Sequence, residues 1–176
     1  MSAAHLRHAA LAIAVAPGLL SAACSTPQAQ PLSQQTPSLS ASLSGVTLSG
    51  THVSLSMYRG HPVVLIFWGS WCGPCHDEQP ALNQQYGQWS SHGVVFLGVD
   101  MRDDGGPART FQQQEQVRYQ SVADPNATIA ADFDIPAAPA LVFVDGTGRV
   151  ADTVLGGLGD MSTADFSAEV RSLLAS

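Results

Sequence analysis

The clearest pattern in the chain is Val63-Val64-Leu65-Ile66-Phe67, an apolar run with no polar interruption. A strand of that kind is covered on both faces, which predicts the centre of a sheet. Ahead of it Val46 and Leu48, then Val53 and Leu55, recur with a period of two and predict a short hairpin with one buried face. Behind it a helix is expected from about Gly73, with Pro74 tolerated in the first turn and Leu82, Tyr86 and Trp89 on one face. Pro80 falls inside that helix and predicts a kink. Val94 to Val99 reads as another buried strand. Asp104 before Gly105-Gly106-Pro107 predicts a helix start, with Phe111 and Glu115 on the helix, and Asp124-Pro125 repeats the signal before Ile129 and Phe133. Leu141 to Val144 and Val150 to Leu155 flank Asp145-Gly146-Thr147-Gly148, a hairpin signal. Ser162 to Leu174 predicts a last helix with Phe166, Val170 and Leu174 inward. The order β–α–β–α–α–β–β–α fits an α/β sheet with helices on both faces.

The first 44 residues do not share this pattern. His5, Arg7 and His8 precede an apolar stretch, Ala9 to Leu20, too short to span a bilayer and suited to the core of a signal peptide. Small residues, Ser21-Ala22-Ala23, lead to Cys24, so residues 1–23 are expected to be a signal peptide. The junction resembles the lipobox of bacterial lipoproteins, with Ser21 where Leu is usual, and implies lipidation at Cys24. Cleavage as an ordinary secreted protein, with Cys24 left as a free thiol, is the alternative. From there to residue 44 the chain is Ser, Thr, Gln and Pro almost throughout, with no charge, and reads as a flexible linker. Twenty such residues span roughly 25 Å, enough to hold a domain off a membrane. Residues 45–176 then form one domain.

Seven arginines, no lysine and fourteen carboxylates give a net charge of −7, which argues against nucleic-acid binding and says little else about partners. Cysteine usage is more informative. Of the three cysteines, Cys24 stands at the signal boundary and Cys72 and Cys75 stand three apart. In Trp71-Cys72-Gly73-Pro74-Cys75 the pair sits where a buried strand hands over to a helix. A thiolate there is stabilised by unpaired backbone N–H groups and the helix dipole, and thiol pKa values in such motifs fall from about 8.5 to about 3.5–7.5. The second thiol can then resolve a mixed disulfide. A structural role is disfavoured because so small a loop gains little from closure. Zinc binding normally needs two more ligands, and no second CxxC or HxxxH is present.

Phe67-Trp68-Gly69-Ser70-Trp71-Cys72-Gly73-Pro74-Cys75, followed by Glu78 and Pro80, resembles the thioredoxin superfamily. Within it the chain is similar to the extracytoplasmic TlpA/ResA-type thiol–disulfide oxidoreductases, or redoxins. The likeness runs over about residues 45–175. It includes Tyr58-Arg59-Gly60, an inserted segment at 101–119, Asp124, Phe133-Asp134-Ile135 to Pro139, and Asp145-Gly146. It implies a thioredoxin-like fold: a central mixed sheet with helices on both faces, an N-terminal hairpin and one inserted helix. It also implies Cys72 as the exposed attacking thiol, Cys75 as the resolving thiol, and Pro139 as the cis-proline beside the disulfide. Ala138 would then offer its backbone to an extended client peptide, with Trp71 and Pro74 on the contact surface. Two positions depart from the family pattern. Ala140 replaces a frequent hydroxyl residue, and Ile66 replaces the buried carboxylate of cytoplasmic thioredoxins. The second departure directs attention to Glu78, an acid at a spacing that related extracytoplasmic members share.

The function so implied is disulfide exchange with exported protein clients, more as reductant than oxidant, for example in cytochrome c maturation or envelope redox homeostasis. An electron donor, membrane-embedded or extracytoplasmic, would be needed, and neither cofactor nor resident metal. One rival is a Cu(I) metallochaperone using the same thiolates, although no distant His or Met ligand is legible. Another is a peroxiredoxin-like peroxidase. Its nucleophile usually follows Thr by three residues and Pro by seven, where this chain has Gly69 and Leu65. His76 either tunes the thiolate, helps hold a metal, or lies on the solvated helix face. Trp68 reads as core, and His52, His61 and His92 as surface.

Overall fold

The structure is a computed structural model that describes residues 42–176. The expected signal peptide, Cys24 and all but the end of the linker lie outside the described residues. The hairpin forms from β1 (Ser44–Val46) and β2 (His52–Ser54). One strand of it faces the other way from expectation. Gly45 pairs with buried Val53, so Val46, opposite His52, is exposed. Gly45 is needed there because a Cβ would fall 2.5 Å from Val122 Cγ1. Leu43 and Thr47 take the inward positions instead.

The predicted central strand is β3 (Val63–Trp68), buried at every residue. It leads into α1 (Gly73–Trp89), which runs on through Pro80, a residue with no N–H for the carbonyl one turn back. Next come β4 (Val95–Met101) and α2 (Gly105–Gln114), where Phe111 lies on the helix as expected and is buried, while Glu115, also expected on the helix, forms its C-cap. A strand not predicted follows, β5 (Gln120–Asp124). Then α3 (Thr128–Asp132) starts under Asp124, whose carboxylate accepts from the backbone N–H groups of Thr128, Ile129 and Ala130. The last hairpin is β6 (Ala140–Val144) and β7 (Val150–Leu155), and the chain closes with α4 (Thr163–Leu174). On α4 Phe166, Val170 and Leu173 are buried, whereas Leu174, expected inward, is 41% exposed. Positions three and four beyond Val170 both fit a helical face, and Leu173 is the one that packs into the core.

The main sheet has the order β5-β4-β3-β6-β7, with β3 parallel to β4 and antiparallel to β6. Alternate residues of β3 point to opposite faces. Val63, Leu65 and Phe67 join α3 and the N-terminal hairpin in one core. Val64, Ile66 and Trp68 join α1, α2 and α4 in another, and that second core contains both cysteines. Helices therefore lie on both faces, as predicted.

Candidate active site

The site is built where β3 ends. Gly69 to Trp71 turn the chain, and Cys72 takes an extended conformation as the N-cap of α1. Its Sγ accepts the Cys75 backbone N–H at 3.2 Å, and the two sulfurs are bonded, with Cα atoms 5.3 Å apart. One sulfur thus does the work of a capping side chain, at the end of a helix where a negative charge is favoured.

Cys72 was expected to be exposed. In the disulfide it keeps 3% of its surface and Cys75 keeps 2%. Capping and the bond to Cys75 turn the Cys72 sulfur inward, and its neighbours form the surface. Gly73 and Pro74 are exposed, and Trp71 is 51% exposed. The Trp71 indole is nevertheless anchored, its Nε1 donating to the Met101 carbonyl at 3.1 Å. Gly69 permits that fold-back, since a Cβ there would lie 2.5 Å from the indole nitrogen.

The Ala138–Pro139 peptide is cis and leads into β6 beside β3, with Ala140 opposite Phe67. Both residues are half-buried, and Ala138 packs against the core that holds the cysteines. The Pro139 carbonyl accepts from Gly156 N–H at 2.9 Å, which ties this loop to the end of β7.

Glu78 lies one helical turn beyond Cys75 and is 9% exposed. Its Oε2 accepts the Leu158 N–H at 2.7 Å, and Gly159 N–H also faces the carboxylate. Burial outweighs these donors and pushes the pKa up to about 7. Gly157, with φ +59°, passes so close that a Cβ would overlap the carboxylate. A cavity of about 430 Å³ opens beside it, lined by Pro74, Ala81, Leu158 and Met161.

Sequence reasoning missed what lies on the other side of α1. His76 bonds Glu115 at the end of α2 (Nδ1 to Oε1, 2.7 Å) and the Ser70 carbonyl (Nε2 to O, 3.2 Å). The Ser70 N–H in turn donates to the Asp103 carboxylate. Asp103 faces Asp100, which is 1% exposed, with an Oδ1 that has no partner. Burial, then the Asp103 charge and a shared hydrogen bond with it, push Asp100 up to about 8. Only a polar residue at the end of an apolar strand hinted at Asp100. Among the described residues no three His, Cys, Asp or Glu side chains converge to hold a metal ion.

A mixed five-stranded sheet whose central strand ends on a CxxC disulfide, with a cis X-Pro before the next antiparallel strand, defines a thioredoxin-like protein. Within that class the chain belongs to the AhpC/TSA family, whose sequence model matches residues 32–153. It is similar to the thiol-disulfide oxidoreductase ResA of Bacillus cereus, 27% identical over 109 residues. That match spans 62% of this chain and 63% of ResA. The soluble secreted antigen MPT53 of Mycobacterium bovis is 28% identical over 165 residues, 93% of this chain and 90% of that one. Among solved structures, a secreted Mycobacterium tuberculosis disulfide oxidoreductase homologous to E. coli DsbE is 30% identical. It covers 74% of this chain and 96% of its own, with a TM-score of 0.66.

Proposed function

We propose that the protein is an extracytoplasmic thiol–disulfide oxidoreductase that exchanges disulfides with exported protein clients through Cys72 and Cys75. The observation that carries this reading is the closed Cys72–Cys75 bond at the N-cap of α1, one turn from a buried acid. In the reducing direction the Cys72 thiolate attacks one sulfur of a client disulfide, forming a mixed disulfide and releasing the other client sulfur as a thiolate that takes a proton. Cys75 then loses its proton and attacks the Cys72 sulfur. The intramolecular disulfide forms, and the second client thiolate leaves. Two electrons have passed from the dithiol to the client. Glu78, poised near neutrality, is the group we assign to accept the Cys75 proton.

Trp71, Pro74 and the Ala138–Pro139 backbone form the surface on which an extended client segment is held. The buried disulfide fits this arrangement if the client engages that rim before sulfur meets sulfur. Direction of electron flow is assigned as reducing, after the Gly73-Pro74 dipeptide. Lipid attachment at Cys24 and an envelope electron donor complete the proposal, and an extracytoplasmic location agrees with the secreted relatives. No described helix is long and apolar enough to cross a membrane.

The test is trapping. A Cys75→Ser variant should accumulate mixed disulfides through Cys72, and mass spectrometry of the adducts names the clients. A redox titration of the wild-type pair gives direction. Adducts that fail to form, or that form through another residue, would remove the proposal.

A further inference from the structure

His76 stands between two groups that can only accept hydrogen bonds, the Glu115 carboxylate at 2.7 Å and the Ser70 carbonyl at 3.2 Å. A neutral imidazole has one N–H and one lone pair, so it could satisfy only one of them. Both contacts are made when both ring nitrogens carry protons. The cation is held from several sides. Phe111 meets the ring edge-on with centroids 4.6 Å apart, and stacks in turn on Trp68 at 4.5 Å. Glu115 is itself fixed to α1, because Asn83 Nδ2 donates to its backbone carbonyl at 2.8 Å. Gln79 donates to Asn83 and accepts from Tyr119, so the end of α2 is tied down along one face of α1.

The consequence falls on the turn that carries the nucleophile. The Ser70 peptide is clamped at both ends, its carbonyl by His76 and its N–H by Asp103, while Trp71 is anchored to Met101. We propose that His76 is a positioning residue of the dithiol: as an imidazolium bridging Glu115 and the Ser70 carbonyl, it fixes the turn before Cys72 and favours the Cys72 thiolate. His76 is four residues from Cys72 along α1, hence one turn away and on the same side. Its proton balances the Glu115 charge. When the proton leaves, the Ser70 link weakens and the cation one turn from Cys72 is lost while the Glu115 charge beside it goes unbalanced, and both changes disfavour the thiolate.

The other groups facing this site are Asp77 on α1, and Asp103 and Asp100 reached through the Ser70 N–H. Glu115 first, then the Ser70 carbonyl, raise the imidazole above its ordinary 6.5 against an opposing effect of burial. The inference rests on Cys72 being the attacking thiol. The experiment is therefore read separately at each cysteine.

Reduced full-length protein is alkylated over a pH series, with peptide mapping of Cys72 and Cys75, alongside ¹⁵N NMR of the His76 ring. We expect both ring nitrogens protonated at pH 6, and a second inflection in the Cys72 curve at the imidazole pKa. In His76→Gln the Cys72 pKa should rise by about half to one unit, at the low end for loss of a neighbouring cation, and the inflection should vanish. Glu115→Gln should move the imidazole pKa and the inflection down together, whereas Asp100→Asn should leave the inflection in place. His76→Lys should restore the low thiol pKa without the inflection. A neutral His76 at pH 6, or an unchanged Cys72 curve in both His76→Gln and Glu115→Gln, overturns the inference. A low pKa found at Cys75 alone would instead overturn the assignment of the nucleophile.

Discussion

The first two turns of α1 send two ionisable groups to opposite sides of the disulfide. Glu78 goes toward the loop after β7 and His76 toward the end of α2. Both are raised, for opposite reasons. Glu78 is raised because burial disfavours its charge, so near neutrality the site holds a proton it can exchange. His76 is raised because a carboxylate and a carbonyl favour its charge, and these bonds also hold the turn in place. An acid whose burial outweighs its two backbone donors suits proton transfer, and an imidazolium held between two acceptors suits positioning. On the roles proposed above, the two sides of one helix divide the work.

The largest effect expected is on Cys72 itself. Reduction of insulin disulfides by Cys72→Ser should fall to the uncatalysed background, and activity retained in that variant would sink the reading of both sides. Next comes Glu78→Gln. Losing the proton acceptor should slow resolution by about 10–100-fold, at or below the usual range for general-base loss, with mixed disulfide accumulating and the inflection near pH 7 gone. The same variant gives a thermodynamic check. Glu78 binds its proton more tightly folded than unfolded, so stability falls as pH rises from about 4.5 to about 7. That slope is worth roughly 3 kcal/mol at most, and it should be shallower in Glu78→Gln than in wild type when both are unfolded by urea.

A third perturbation reaches Glu78 from the loop that faces it. Gly157→Ala places a Cβ against the carboxylate at a positive φ, and should destabilise by about 1–3 kcal/mol in thermal unfolding. The smallest effect belongs to the opposite side. Glu115→Gln should cost under about 1 kcal/mol, because the His76 pair is partly solvated. That loss should be present in full below pH 6.5 and disappear as pH rises through the raised imidazole value. A loss that persists at high pH would mean that the pair matters by packing alone.

The same division explains what could be read from the sequence. β3 declares itself in five consecutive apolar residues, and Cys72, Cys75 and Glu78 follow at three-residue steps from the cap into the start of one helix. Such information is local. His76 could be noticed, yet Glu115 lies 39 residues away and reaches it only because α2 folds back on α1. β5 went unnoticed because Gln-Ser-Val-Ala-Asp holds one large apolar residue. Pairing with β4 and the Thr47–Val122 bridge make it a strand. Val46 and Leu174 were given the wrong side because Gly45 and Leu173 fill the inward places. Exposure of Cys72 was mistaken for a related reason, since a capping sulfur turns inward when it closes the disulfide.

The central claim is that Cys72, buried while oxidised, becomes the reactive thiol once the bond opens. Brief alkylation of the fully reduced protein with iodoacetamide at pH 6, followed by peptide mapping, tests it directly. The account predicts that Cys72 is modified well ahead of Cys75, at a rate that only a thiol ionised far below 8.5 can give. Equal labelling of the two, or neither reacting faster than a free cysteine, would contradict it.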